Sequence, residues 1–202
     1  MKLYNGDCLE VMKLIPDKSI DAIITDPPYG TTACKWDSVI PFDLMWVQLN
    51  RIIKPNGAIV LFGSEPFSSA LRMSNIKNYK YDWIWEKTKA GNFQLCKKNP
   101  MKYHEIISVF YNKFPTFNLF NLRKLETPIK NARKNKGSNL HNIPSRKNYT
   151  QKYTGYHNSI LKFSKKSGKN YSYHPTQKPV ALIEYFIKTY TNEFETVLDF
   201  TM

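Results

Sequence analysis

Apolar positions along this chain switch repeatedly between a strand-like and a helical period. Ile20-Asp21-Ala22-Ile23-Ile24 is a short, nearly continuous apolar run of the kind that fills a buried strand. In Phe42 to Ile53, by contrast, Leu44, Trp46, Val47, Leu49, Ile52 and Ile53 recur along one side of a helix. Pro55-Asn56-Gly57 then predicts a break before a strand over Ala58 to Phe62. The same reading predicts a short strand at Lys2 to Tyr4 and helices over Cys8 to Ile15 and Glu65 to Met73. Further strands are expected over Tyr81 to Trp85, Glu105 to Tyr111 and Thr196 to Phe200. A helix over Val180 to Tyr190 turns Leu182, Ile183, Phe186 and Ile187 inward. Strands alternating with helices imply an α/β protein built on an open, mostly parallel sheet.

The first buried strand runs directly into Thr25-Asp26-Pro27-Pro28-Tyr29-Gly30. Open α/β folds bind their ligands at the carboxyl edge of the sheet, where this loop would stand. Adjacent prolines fix the backbone and remove both amide donors. What remains is a rigid set of acceptors, the Asp26 carboxylate and the Pro27 carbonyl, beside the Tyr29 ring. That set suits a planar exocyclic amine. Such an amine is a poor nucleophile because its lone pair is delocalised into the ring, and two acceptors on its N–H bonds would turn the lone pair towards an electrophile. A nucleobase amine lies hidden in a duplex, so the nucleotide must first be rotated out of the stack. The plainer alternative is a Pro-Pro turn that ends a strand.

Asp26-Pro27-Pro28-Tyr29 resembles the catalytic motif of the S-adenosylmethionine-dependent DNA amino-methyltransferases. His174-Pro175-Thr176-Gln177-Lys178-Pro179, followed by Val197-Leu198-Asp199-Phe200, is similar to the cofactor half of that family. The catalytic half comes first and the cofactor half last, the order of the permuted β group. The resemblance implies a Rossmann-like methyltransferase with circularly permuted motifs and a basic target-recognition insertion. It implies S-adenosylmethionine as cofactor and the adenine N6 amine of duplex DNA as target, with the cytosine N4 amine or an inactive DNA-binding remnant as alternatives. Asp26, Pro27, Pro28 and Tyr29 would be catalytic, with Asp26 also bordering the cofactor.

The remaining cofactor contacts implied are Asp7 and Cys8, near the adenine ring; Thr176, Gln177 and Lys178, at the methionine end; and Asp199 and Phe200, at the start of the cofactor loop. Asp7 reads equally as a helix N-cap, and Pro179 as a helix start. Trp36 is a candidate neighbour of the target base or a plain core tryptophan. In the family a glycine-rich turn and a strand ending in a ribose-binding acid follow the Asp-Phe pair. Here the sequence ends at Asp199-Phe200-Thr201-Met202, which leads us to expect a fragment of a longer protein.

Charge sharpens the division of the chain. Between Lys113 and Asn170 fourteen Lys and Arg face a single acid, Glu126, so this segment carries +13 of the net +14. Aromatic residues interleave with the charges: Phe114, Phe117, Phe120, Tyr149, Tyr153, Tyr156 and Phe163. The pattern fits a phosphate-contacting module, with Arg133, Lys134, Lys136, Arg146 and Lys147 as candidate DNA contacts. A solvated basic loop is the equal alternative over Asn131 to Lys152. The organisation expected is a catalytic part over 1–112, an insertion over 113–170 and the start of a cofactor part over 171–202. Three widely spaced cysteines read as reduced thiols, and the four histidines lack metal-ligand spacing with them. No apolar run reaches membrane-spanning length. A cytoplasmic protein acting on duplex DNA is expected, with a restriction endonuclease and a second copy of the chain as candidate partners.

Overall fold

Asp7 starts the first element by capping it. Its carboxylate accepts the N–H groups of Leu9 at 2.8 Å and Glu10 at 3.3 Å, opening α1 (Cys8–Met12). The chain then runs through β1 (Ile20–Thr25), α2 (Phe42–Ile52), β2 (Ile53–Gly63), α3 (Phe67–Ser74), β3 (Tyr79–Glu86) and β4 (His104–Phe110). After these come β5 (Arg123–Asn131), β6 (Tyr149–Thr154), β7 (Ile160–Lys162), α4 (Val180–Tyr190) and β8 (Val197–Leu198). This computed structural model describes residues 1–32, 34, 37–131, 149–164 and 177–201. Contacts divide the chain into a body, Met1–Asn118 with Ser159–Met202, and a smaller unit, Leu119–Asn158.

The body is built on a sheet ordered β7-β3-β4-β2-β1-β8. Its β1–β2, β1–β8 and β3–β7 pairs are parallel, and β4 alone runs against its neighbours β2 and β3. Side chains alternate across each strand, so one strand feeds two cores. Ile20, Ile23, Ile59 and Leu61 face a layer completed by Met12, Met45, Leu49 and Leu71 from α1, α2 and α3. Ala22, Ile24, Val60 and Phe62 face the opposite layer, with Leu182, Phe186 and Tyr190 of α4. Helices on both faces explain why β1 and β2 read as continuous apolar runs. Each fully buried Leu or Ile here contributes about 1.5–3 kcal/mol relative to exposure.

Several expectations are corrected. Lys2 to Tyr4 forms no strand: Leu3 and Tyr4 are exposed and no described segment pairs with them, and an unpartnered three-residue strand leaves its backbone groups to water. The first helix stops at Met12. Pro55-Asn56-Gly57 does not separate helix from strand, because β2 already begins at Ile53. The irregularity becomes a bulge instead: Ile20 pairs with Ile53 but Ala22 with Ala58. Gly57 is required there, since a Cβ would lie 2.7 Å from the Asp21 carbonyl oxygen.

The smaller unit carries the antiparallel ribbon β5–β6, for which the apolar period gave no signal. Its compact extent is narrower than the 113–170 insertion of the sequence reading. Phe114, Phe117 and Phe163 pack on the body, against Tyr111, Trp83 and Tyr185 respectively, and β7 joins the body's sheet beside β3.

Candidate active site

The parallel pairs Ala22↔Val197 and Ile23↔Leu198 set the carboxyl ends of β1 and β8 side by side. The loops opening at Asp26 and Asp199 therefore leave the sheet together. Buried Thr25 ties them: its hydroxyl donates to Asp199 Oδ1 and accepts the Phe200 N–H at 3.0 Å. Thr201 adds a hydrogen bond to the Asp26 carbonyl at 3.1 Å. Two motifs separated by most of the chain thus meet at one sheet edge, where sequence reasoning placed the chemistry.

Beyond the prolines, the loop is shaped by a residue the sequence reading missed. Asp37 gathers four backbone N–H groups, from Tyr29 (2.8 Å), Gly30 (2.9 Å), Thr31 (2.9 Å) and Thr32 (2.7 Å). Burial pushes its carboxyl up, but the Thr32 hydroxyl and these amides outweigh burial and hold it at about 2. Gly30 sits at φ +67° with Val39 Cγ2 2.8 Å from where a Cβ would be, so the turn needs glycine.

Asp26 is 30% exposed, and both of its oxygens are engaged. Oδ1 accepts the Tyr29 hydroxyl and Oδ2 accepts the Lys178 ammonium. Lys178, 11% exposed, also lies 3.4 Å from Glu105 Oε2, and Lys87 donates to Glu105 Oε1 at 2.8 Å. The result is an alternating row of charges, Asp26, Lys178, Glu105 and Lys87. A cation just before the N-terminus of α4 is disfavoured by the helix dipole by up to about 1 kcal/mol; the two carboxylates offset that. The ammonium also lies 5.4 Å and 5.8 Å from the ring centroids of Phe62 and Tyr29.

Burial raises the Asp26 carboxyl, with Glu105 adding to the rise and Lys178 and Tyr29 opposing it. Glu105 moves the other way: burial would raise it, but Lys178 and Lys87 together bring it below its ordinary value. Burial, then the charges of Asp26 and Glu105, keep Tyr29 a neutral phenol and hence a donor. Its ring packs on Phe67 at 5.1 Å between centroids. The Pro27 carbonyl stands beside this cluster in sequence, and among the described residues none donates to it.

The remaining candidates are distributed as follows. Asp7 caps α1 through Oδ1 alone, leaving Oδ2 clear. Cys8 packs against the core layer that also holds Phe200, and burial and the Asp7 charge push its thiol up. Asp199, exposed, takes its bonds from Thr25 and Thr201 on Oδ1. Gln177 stands half-buried beside Lys178. Thr176, Trp36, Arg133, Lys134, Lys136, Arg146 and Lys147 lie outside the described residues. Glu105 and Lys87, like Asp37, went unread because a single acid or lysine in a strand-end context has no spacing signature.

In the smaller unit, the ribbon register separates two faces. Lys124 pairs with Tyr153 and Ile129 with Gln151, whereas Arg123 pairs with Thr154 and Lys130 with Thr150. Directly opposed residues share a face. One face therefore carries Tyr149, Tyr153, Ile129 and Lys124, and the other Arg123, Lys130 and Lys152, all exposed. Phe120 packs edge-on to His157 at 4.7 Å. Among the described residues no cluster of His, Cys, Asp and Glu could hold a metal ion, and no helix is long and apolar enough to cross a membrane.

An open, mostly parallel α/β sheet with an Asp-Pro-Pro-Tyr loop at its carboxyl edge defines the class, and comparison with known proteins places the chain within it. A DNA methylase family model of the N6/N4 class matches residues 20–202, and the chain belongs to that family. Type II methyltransferase M.HpaI of Haemophilus parainfluenzae is 30% identical, covering 98% of this chain and 62% of its own length. Type II methyltransferase M.BamHI of Bacillus amyloliquefaciens is 26% identical, over 98% of this chain and 48% of its own length. The chain thus spans about half to three-fifths of these curated relatives. Among solved structures, PvuII DNA methyltransferase, described as cytosine-N4-specific, has the same Rossmann-like fold, with a TM-score of 0.65 and 17% identity over 97% of this chain and 72% of that one.

Proposed function

We propose that this chain carries the catalytic centre of a DNA methyltransferase that moves a methyl group from S-adenosylmethionine to the N6 amine of adenine in duplex DNA. The observation that carries the reading is the Asp26 carboxylate, largely buried at the sheet edge and already holding a nitrogen donor on Oδ2. A base amine presents the same N–H chemistry. Asp26 and the Pro27 carbonyl accept its two N–H bonds, and the Tyr29 ring offers a stacking face to a base rotated out of the duplex.

The chain's residues fit the cofactor. Asp7 and Asp199 each keep one carboxylate oxygen clear for an amine or hydroxyl donor, and Phe200 belongs to the apolar layer against which Cys8 packs. Thr176, Gln177 and Lys178 complete the proposed set. Bound there, S-adenosylmethionine supplies an electrophilic methyl group. The smaller unit supplies DNA affinity: the Arg123, Lys130 and Lys152 face of the ribbon, with Arg133, Lys134, Lys136, Arg146 and Lys147 from the intervening segment, would contact phosphates.

The test is product identification. Duplex DNA of mixed sequence is incubated with the chain and methyl-labelled S-adenosylmethionine, then digested to nucleosides for mass spectrometry. Label in N6-methyldeoxyadenosine is the expected result. Label in N4-methyldeoxycytidine would move the assignment to cytosine, and absence of label from DNA would contradict the reading.

A further inference from the structure

Glu105 Oε2 is a buried carboxylate oxygen that accepts no hydrogen bond from any described residue. Leaving a charged acceptor in that state is costly. The cation within reach is Lys178, whose Nζ lies 3.4 Å away while it hydrogen-bonds Asp26 Oδ2. Glu105 Oε1 is already satisfied by Lys87 at 2.8 Å. One ammonium therefore stands between two carboxylates, bonded to the first and at contact distance from the second.

The arrangement has a consequence for base binding. With Tyr29 on Oδ1 and Lys178 on Oδ2, each Asp26 oxygen already accepts one donor, so an incoming amine competes with them for the carboxylate's remaining lone pairs. Tyr29 belongs to the rigid loop itself. Lys178 has a second acceptor waiting, and its four-carbon stem lets Nζ move while the backbone before Pro179 stays in place. Resting on the methyltransferase reading above, we infer that Lys178 is a positioning residue with two stations. It holds Asp26 in the resting site and passes to Glu105 Oε2 when a base amine replaces it on Asp26. The ammonium exchanges one charge-assisted hydrogen bond for another, the neutral base amine takes its place on Asp26, and no proton is transferred.

The groups facing Asp26 are Tyr29 from its own loop, Lys178 from the approach to α4 and Glu105 from β4, with Lys87 behind Glu105. Removing the second station or the lysine should therefore act in opposite directions. In Glu105→Gln the ammonium stays on Asp26: KM for DNA rises about tenfold, the worth of one charge-assisted hydrogen bond, kcat changes little, and the acid limb of the pH–rate profile moves to lower pH. In Lys178→Met the competitor is gone: KM for DNA falls and the acid limb moves to higher pH. A purely structural role would lower kcat in both variants and would not send KM for DNA in opposite directions, which would overturn the proposal.

A second readout does not depend on turnover. Carboxyl 13C NMR of the full chain, with adenosine as the probe, should show the Glu105 resonance responding in wild type and not in Lys178→Met. The Asp26 titration midpoint should rise in Lys178→Met and fall in Glu105→Gln. A wild-type chain that transfers no methyl group would sink the methyltransferase reading alone. A Glu105 resonance indifferent to adenosine in wild type, or Asp26 midpoints unmoved in both variants, would sink the two-station inference.

Discussion

At the carboxyl edge of the main sheet, Asp26, Tyr29 and Lys178 are bound to one another inside a frame of buried strands. On the β5–β6 ribbon, Arg123, Lys130 and Lys152 stand exposed, the first two opposite Thr154 and Thr150. The difference matches what each region is proposed to do. Orienting an amine against an electrophile needs acceptors held in place before substrate arrives, which only a packed scaffold supplies. Gathering phosphates needs charge that water and counterions can reach and leave, and an exposed two-stranded ribbon keeps that charge accessible. Rate should therefore be encoded in the first region and affinity in the second.

The largest effect expected is at Asp26. Asp26→Ala removes the preorganised acceptor and should lower methyl transfer by about 100- to 1000-fold, read from initial rates with labelled cofactor, while cofactor affinity by calorimetry changes little. Next comes the ribbon. Arg123→Ala, Lys130→Ala and Lys152→Ala together should reduce the slope of log affinity against log salt by roughly 2 to 3, at about 0.9 per lost phosphate contact. The loss should be equal for unrelated duplex sequences. Loss confined to one sequence would instead make this face a base reader.

Asp37 probes the frame rather than either function. Asp37→Ala leaves four loop amides without their acceptor and should cost about 2 kcal/mol of stability in denaturant unfolding. Because the folded carboxyl is held at about 2, below its unfolded value near 4, the contribution is complete above about pH 4 and fades as pH falls through 2. The variant's unfolding midpoint should therefore converge on that of wild type in acid. Tyr29→Phe is expected to be the mildest change, about fivefold in rate, since the stacking face survives and one hydrogen bond to Asp26 is lost. It should also move the acid limb of the pH profile upward, because the Tyr29 hydroxyl helps keep Asp26 ionised. Tyr29→Ala, which removes the ring, should cost far more in base capture.

What could be read from the sequence followed the same division. β1, α2, α4 and the core of β2 were legible because their faces are buried and the apolar period records burial directly. The Asp26 loop was legible because an acid, two prolines and a tyrosine directly after a buried strand form a compact motif that survives in the linear sequence. The ribbon was invisible: most of its described side chains are exposed, on both faces, so no apolar alternation marks β5 or β6. Lys2 to Tyr4 misled for the opposite reason, having a strand-like composition without a partner. Lys178 was implicated through its motif, but its bond to Asp26 and the presence of Glu105 beside it arise only when β4 is laid next to the start of α4.

The division of labour between the two regions is the central claim, and one paired measurement tests it. Single-turnover methyl transfer at saturating DNA and equilibrium DNA affinity are determined for wild type, Asp26→Ala and the triple ribbon variant. The account predicts that Asp26→Ala loses rate and keeps affinity, while the ribbon variant loses affinity and keeps its rate at saturation. A ribbon variant slow even when fully bound, or an Asp26→Ala chain that transfers methyl groups at the wild-type rate, would contradict it.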